Sequence, residues 1–251
     1  MRIAAIYDVH GNLPALEAVL AEIRDLHVGQ VIVGGDVVPG PMPRETLDLL
    51  ARLEIPAQFI LGNGEVAVLE AMAGKEPAHV PQQYRPIIHW TAQQLSGQHR
   101  QMMSKWPKTV SVDLAVTGEV LFCHATLRDE NEIFTRITPE EQLAPIFGDI
   151  PARLFVCGHT HMQFDRTVGG TRVVNAGSVG MPFGEPGAYW LLLGPDVELR
   201  RTAYDLDRAA ERIRGTNYPG AAEFAANSVL RPPSQQQMLD IFERAAAKAA
   251  R

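Results

Sequence analysis

The sequence predicts an α/β fold. Three observations predict it. Short apolar runs alternate with segments of helical periodicity through the first sixty residues, strand-like segments punctuated by Gly and Pro follow Gly158, and side chains of metal-ligating type stand directly after the apolar runs. Ile3 to Tyr7 precedes Asp8 and His10, Val31 to Val33 precedes Asp36, and Phe59 to Leu61 precedes Asn63. Val120 to Cys123 precedes His124, and Leu154 to Cys157 precedes His159 and His161. Each run is short enough to be a buried strand, which places all of these side chains at strand ends.

Taken in order, the strand from Arg2 to Tyr7 leads through Gly11 and Asn12 into a helix with Leu13, Leu16, Val19, Leu20 and Ile23 on one face. Asn12 is its natural cap and Pro14 suits its first turn. Strand, helix and strand repeat through Ile60, so the first sixty residues read as two βαβ units with parallel strands and right-handed crossovers. From about Glu65 to Trp106 the chain is polar, rich in Gln and helical, an insert that could cap the mouth of a site. Past Gly158, short strands near Arg172 to Val174, Tyr189 to Leu193 and Val197 to Thr202 suggest a second, largely antiparallel sheet, the last two joined by a hairpin turn at Gly194, Pro195 and Asp196. From Asp205 onward the sequence is Ala-rich and helical, broken at Pro232 and Pro233. Ser234 caps a last helix carrying Met238, Ile241, Phe242 and Ala245 at helical spacing, for which packing on the body of the protein is the plainer expectation. No repeat, low-complexity tract or linker forces a division, so the expectation is one domain over residues 1–251, with 205–251 as a helical C-terminal extension.

Composition narrows the function. A net charge of −6 argues against nonspecific nucleic-acid binding, which wants a basic face. Small anionic substrates stay open if metals supply the positive charge. No run approaches the roughly 18 apolar residues of a membrane span, and the apolar stretch before Asp8 is too short for a signal-peptide core. The expected location is therefore cytoplasmic, without membrane contact. Cys123 and Cys157 each close a predicted buried strand and read as small core hydrophobes, with neither a disulfide nor a thiolate nucleophile implied.

In an open α/β sheet the ligand crevice lies outside the carboxyl ends of the strands, so distant residues converge there. Mixed carboxylate, imidazole and amide ligation suits Mn, Fe, Zn or Co, and seven candidate ligands are too many for one tetrahedral ion, so the count points to two metals. Alternation in Gly158-His-Thr-His161 would put both imidazoles on one side of an extended segment. Taken alone, Asn63 before Gly64 reads as a hairpin turn and Asp36 as a loop cap. His27 ends a predicted helix, while His79, His89 and His99 fall in the polar insert, where surface positions are expected. Trp90, Trp106 and Trp190 have no spacing of a base-stacking platform and read as core or cap residues.

Asp8-Val-His-Gly-Asn12, Gly35-Asp36, Gly62-Asn63, His124 and Gly158-His-Thr-His161, in this order over residues 8–161, resemble the calcineurin-like metallophosphoesterase family. Asn175-Ala-Gly-Ser178 resembles a further turn of its small bacterial phosphodiesterase branch. The resemblance implies a four-layer α/β/β/α sandwich of two mixed sheets around a two-metal site. By motif position Asp8, His10 and His161 would hold one ion, Asn63, His124 and His159 the other, and Asp36 would bridge both. Independently, a bridging carboxylate is what keeps two dications about 3.5 to 4 Å apart against their repulsion. Mn is the first choice of metal, with Fe, Ni, Co or Zn compatible.

The implied activity is hydrolysis of phosphate esters, phosphodiesters first, by attack of a metal-bridging hydroxide in an in-line displacement that needs no covalent intermediate. Asp8, His10, Asp36, Asn63 and His124 would carry the catalysis, with Asn12 and Arg128 binding substrate and Glu132 beside Arg128 at the rim. Helix N-termini at Asn12 and after Asn63 would add N–H groups for the anion. A small phosphate ester is the expected partner, and self-association stays open. The chain departs from the family at Gly64, where many members carry the histidine that helps protonate the leaving oxygen. That departure favours diesters or activated esters, and it predicts that Gly64→His raises monoester over diester hydrolysis. Two other classes remain, a phosphoprotein or nucleotide phosphomonoesterase on the same site, and a noncatalytic metal-binding scaffold like the retromer subunit of this fold.

Overall fold

Alternating apolar runs and amphipathic helices produce parallel strands when each helix can cover the sheet it leaves. In the computed structural model, which describes residues 1–251 except 115–117, 149, 151, 250 and 251 and the side chains of 248 and 249, this happens at the N-terminus. Strand β1 (Ile3–Ile6) pairs in parallel with β2 (Gln30–Val33), and β2 with β3 (Ala57–Phe59). Helices α1 (Leu13–Asp25) and α2 (Pro43–Ala51) form the two crossovers. Asn12 caps α1 by accepting the Ala15 N–H, and the buried face is Leu13, Leu16, Val19, Leu20 and Ile23, as the periodicity predicts.

The insert comprises α3 (Asn63–Met72), α4 (Arg85–Gln94) and α5 (Gly97–Met103). Its apolar side chains Val68, Ile88, Leu95, Met103 and Trp106 join the cluster of Leu16 and Leu47, so it extends the helical layer beside α2. The expectation of a cap over the site mouth is corrected: the insert has its own apolar face, and that face is buried against the first sheet's helices.

The second sheet begins with the hairpin of β4 (Thr109–Leu114) and β5 (Gly118–Cys123). Helix α6 (Glu140–Phe147) follows, then β6 (Leu154–Cys157), β7 (Phe164–Val168) and β8 (Thr171–Asn175). The order is β4-β5-β6-β8-β7, with β5, β6 and β8 parallel and the two edges antiparallel. The hairpin of β9 (Ala188–Leu193) and β10 (Val197–Thr202) does not belong to this sheet. It adds to the first one, in the order β10-β9-β1-β2-β3, with β9 antiparallel to β1. The physical reason is that β9 is almost continuously apolar, which suits an interior strand between two neighbours, while β10 alternates and suits an edge.

Alternation along the strands builds the layers. From β1 and the residue after it, Ala4 and Ile6 face α1 and α2, whereas Ile3, Ala5 and Tyr7 meet Val120, Phe122, Val156 and Val174 of the second sheet. On that sheet's far side Phe155, Cys157 and Val173 pack on Leu143 and Phe147 of α6. This is the four-layer α/β/β/α sandwich. After β10 come α7 (Leu206–Arg214), the short α8 (Ala221–Phe224) running into a π-helical stretch Ala225–Leu230, and α9 (Gln235–Ala249). No helix among the described residues is long and apolar enough to cross a membrane.

Candidate metal centre

The strand ends are where the backbone is strained. Among the described residues six non-glycine positions have positive φ, and five are Asp8 (53°), His10 (46°), Asp36 (51°), His159 (66°) and His161 (58°). The sixth, His27, lies just past the C-cap of α1. Left-handed backbone costs roughly 1–2 kcal/mol at a non-glycine residue, so such a concentration marks a place where the fold imposes conformation for a purpose. It also overturns the extended reading of Gly158 to His161: His161 turns toward Asp8 at 3.4 Å, while the His159 ring lies edge-on to His124 with centroids 5.1 Å apart.

Backbone bonds hold these turns. The Asp8 and His10 N–H groups donate to Gly35 and Asp36 carbonyls, and Gly180 N–H and the Ser178 hydroxyl both donate to the Asp8 carbonyl. The His159 N–H donates to Asp8 Oδ2 at 2.9 Å, an approach that only glycine at 158 permits, since a Cβ there would lie 2.4 Å from the same oxygen.

Three imidazoles are oriented alike. Nδ1 faces the Pro39 carbonyl in His10 (3.3 Å), the Gly34 carbonyl in His124 (3.0 Å) and the Met181 carbonyl in His161 (2.8 Å). A carbonyl only accepts, so each Nδ1 carries the proton and each neutral Nε2 presents a lone pair to the centre. There the His10 and His161 Nε2 atoms are 3.2 Å apart, and buried Asp8 Oδ1 has no hydrogen-bond partner. Asp36 Oδ2 lies 3.7 Å from His10 Nε2 and its Oδ1 3.5 Å from His124 Nε2, which is itself 2.9 Å from Asn63 Oδ1. Lone pairs converging without a donor call for a cation, and this donor set fits one. Asp8, His10 and His161 form one group with ligand atoms within 4.8 Å of one another, and Asp8, Asp36 and His124 a second.

The electrostatics agree. Burial alone would raise the Asp8 acid, but the electrostatic pull of His161, with smaller contributions from His124 and His10, outweighs it and holds Asp8 down at about 2. Burial depresses His161 and His124, yet Asp8 and Asp36 more than compensate and raise both. His159 is pushed down to about 4 by burial and by the neighbouring His124. Cys123 and Cys157 are buried free thiols in the core, raised by burial.

Sequence reasoning passed over Glu65. Fully buried, it accepts N–H groups from Asp36 (2.8 Å), Gly62 (2.9 Å) and Val38 (3.1 Å), and so ties the Asp36 loop to the start of α3. Burial and the Asp36 charge push it up to about 7 against the pull of those donors. The signal available was its capping-box spacing, three residues after Gly62. Asn175, noted from the sequence only as the start of a family-like turn, acts directly on the site: its Nδ2 donates to the Gly158 carbonyl at 2.6 Å and steadies the histidine turn.

Other expectations shift. Asn12 is fully buried, its amide spent on the Ala15 N–H and the Gly180 carbonyl, so it holds the turn and does not reach substrate. Arg128 forms an exposed pair with Glu132, so the two rim candidates neutralise each other. The Gly64 N–H at the start of α3 is taken by Asp36 Oδ1 at 2.7 Å and is not free for an anion. His99 is not at the surface: it is 9% exposed, completes a capping box with Ser96 and pairs with Asp48. His79 and His89 pair with Glu70 and Glu76 at the surface of the insert.

The family model for the calcineurin-like phosphoesterase superfamily domain matches residues 1–194. An uncharacterized protein of Methanocaldococcus jannaschii is 28% identical over 240 residues, 86% of this chain and 93% of its own length. The crystal structure of a metallophosphoesterase from Sphaerobacter thermophilus aligns with a TM-score of 0.72 at 27% identity, over 91% of this chain and 99% of that one. A hypothetical protein from Pyrococcus horikoshii OT3 aligns with a TM-score of 0.77 at 18% identity, over 93% and 99%.

Proposed function

The chain belongs to the calcineurin-like phosphoesterase superfamily, and from that premise we propose that it is a metal-dependent phosphodiesterase. Asp8, His10 and His161 would hold one divalent ion and Asn63, His124 and His159 a second, with Asp36 shared; Mn is the first choice. When bound, such a pair supplies Lewis acidity toward phosphate oxygens and a water ionised near neutral pH. The chain's own part is to keep the three Nε2 lone pairs aimed inward through the carbonyls of Gly34, Pro39 and Met181, and to keep Asp8 ionised.

The observation that carries the diester reading is Gly64. A Cβ built there would lie 2.1 Å from the Val38 carbonyl oxygen, 2.9 Å from Pro39 and 3.0 Å from Asp36 Oδ1. The start of α3 therefore has no room for a side chain that protonates a leaving oxygen, and esters that depart without that help are favoured. The same crowding reverses the expectation for Gly64→His. Both it and Gly64→Ala should destabilise the protein, by about 1–3 kcal/mol for the added methyl alone, and should weaken metal binding through Asp36 rather than create monoesterase activity. Thermal unfolding with and without metal checks this, and a Gly64→His variant with normal stability and raised monoester turnover would refute the steric argument.

The deciding experiment is hydrolysis of a nitrophenyl phosphodiester and the matching monoester by chelator-stripped protein, with Mn, Ni, Co, Zn or Mg restored singly. Diester turnover with Mn is expected. Monoester preference would make the chain a phosphatase, and stoichiometric binding without turnover on either ester would favour a scaffold.

Metal uptake should also be linked to pH. His124 and His161 hold their protons more firmly than a free imidazole because of Asp36 and Asp8, and a ligand nitrogen must be deprotonated. Loading should therefore release protons, and affinity should weaken as pH falls. Titration calorimetry in buffers of different ionisation enthalpy reads the release; an affinity that does not change between pH 6 and 8, as an approximate working range, would contradict it.

A further inference from the structure

We propose that the C-terminal helix α9 is a working part of the metal centre, clamping Phe183 onto the His161 imidazole so that His161 is held in its ligand orientation. This inference rests on the metal-centre reading above. It concerns a segment beyond the part of the chain that the family model matches, which ends at residue 194.

The Phe183 ring lies nearly parallel to the His161 ring, 18° between planes and 5.4 Å between centroids. It also meets Phe242 of α9, at 6.1 Å and 57°. The loop carrying Phe183 is fastened at one end by the Ser178 hydroxyl, which accepts the Met181 N–H, and Met181 supplies the carbonyl that receives His161 Nδ1–H. Its other end is fastened by the C-terminal segment. The Gly184 N–H donates to the Pro233 carbonyl at 2.8 Å, and Gln235 Nε2 donates to the Phe183 carbonyl at 3.4 Å. The segments approach so closely that Gly184, at φ 94°, would bring a Cβ to 3.2 Å from Gln235.

Gln235 is linked to the residue after His161 as well. Its Oε1 accepts from Arg136 Nη1 at 2.9 Å, and the same nitrogen meets the sulfur of Met162, the buried residue directly after His161. Two turns further on, Glu243 Oε1 accepts from the hydroxyls of Thr135 and Thr138, which anchors α9 to the loop bearing Arg136. The ring stacked on His161 and the residue that follows it are thus both tied to one helix. An imidazole whose Nδ1 is fixed by a single carbonyl can still tilt about that bond; a ring stacked on its face removes the tilt. Phe183, Phe242 and Gln235 are accordingly positioning residues that act through His161.

The test is Mn affinity of the full chain, measured without substrate by the electron spin resonance of free Mn, alongside thermal unfolding of the metal-free protein. Phe183→Ala is expected to weaken Mn binding about tenfold, in the range seen when the partners of metal-ligating histidines are removed. Phe183→Tyr, which keeps the stacked face, should restore it. Gln235→Ala deletes the carboxamide and one methylene and should weaken Mn binding severalfold with little change in the metal-free unfolding midpoint, an outcome a merely structural role would not give. Phe242→Ala should behave like Phe183→Ala; if it does not fold, Phe183→Ala and Gln235→Ala decide. Gln236→Ala, on the exposed face of α9, should bind as the parent does. Parent-like Mn affinity in Phe183→Ala and Gln235→Ala would overturn the proposal. Loss of affinity in a chain that hydrolyses no diester would sustain it while refuting the diesterase reading, and a parent chain that binds no Mn would overturn both.

Discussion

Asp36→Asn is expected to lower metal-restored ester hydrolysis by at least about a hundredfold while leaving the fold intact. Removing only the hydrogen-bond partners of metal ligands costs on the order of 10–100-fold in affinity or activity, and Asp36 stands closer than that. It offers Oδ2 toward His10 at 3.7 Å and Oδ1 toward His124 at 3.5 Å, and so faces both groups of ligands. Asparagine has the same shape and keeps an oxygen for the Gly64 N–H, so the change falls on charge and not on packing. Metal content after equilibrium dialysis, turnover and thermal unfolding read the three parts separately. A variant that keeps its metals and its rate would remove Asp36 from the centre.

Glu65→Gln is the second large effect, and it acts on the scaffold beneath that ligand. Three backbone N–H groups converge on the carboxylate, two of them on Oε2 and one on Oε1. An amide has one acceptor oxygen. Whichever way it is turned, its NH2 meets a buried donor, and leaving such a group unsatisfied costs about 1–3 kcal/mol. With the charged acceptor also lost, a destabilisation of about 2–3 kcal/mol is expected in denaturant unfolding of the metal-free protein. Weaker metal binding should accompany it, because the loop of Asp36 is no longer tied to the helix that begins at Asn63. Unchanged stability would mean that the three bonds carry no net free energy.

How much of this was legible beforehand depended on whether a residue's task is local or distant. Alternation through Ile60 announced β1, α1, β2, α2 and β3, because burial on one helix face or both strand faces is a local pattern. The apolar runs before Asp8, Asp36, Asn63, His124 and His159 placed those side chains at strand ends for the same reason. The partner of a strand is not local. The β9–β10 hairpin read as part of a second sheet, yet it completes the first one against β1, nearly two hundred residues earlier in the chain. The insert read as a cap because it is polar and interrupts the alternation, but its buried face belongs beside α2.

The same division runs through the metal centre. The sequence by itself determined the kinds of donor available and their order, since aspartate, asparagine and histidine after buried strands narrow the chemistry to hard and borderline cations. Only the tertiary structure decided the direction of the lone pairs, because the carbonyls of Gly34, Pro39 and Met181 that receive the Nδ1 protons come from other turns. It alone sent His159 and His161 to different neighbours, through left-handed backbone that a sequence of alternating residues does not announce. It alone showed that Gly64 is a glycine for want of space against Val38, that Glu65 holds the Asp36 loop, and that the C-terminal helix returns to His161 through Phe183. Hydrophobic periodicity is written along the chain and can be read there; hydrogen-bond partners and steric neighbours are set by which segments meet, and that is decided when the sheets close on each other.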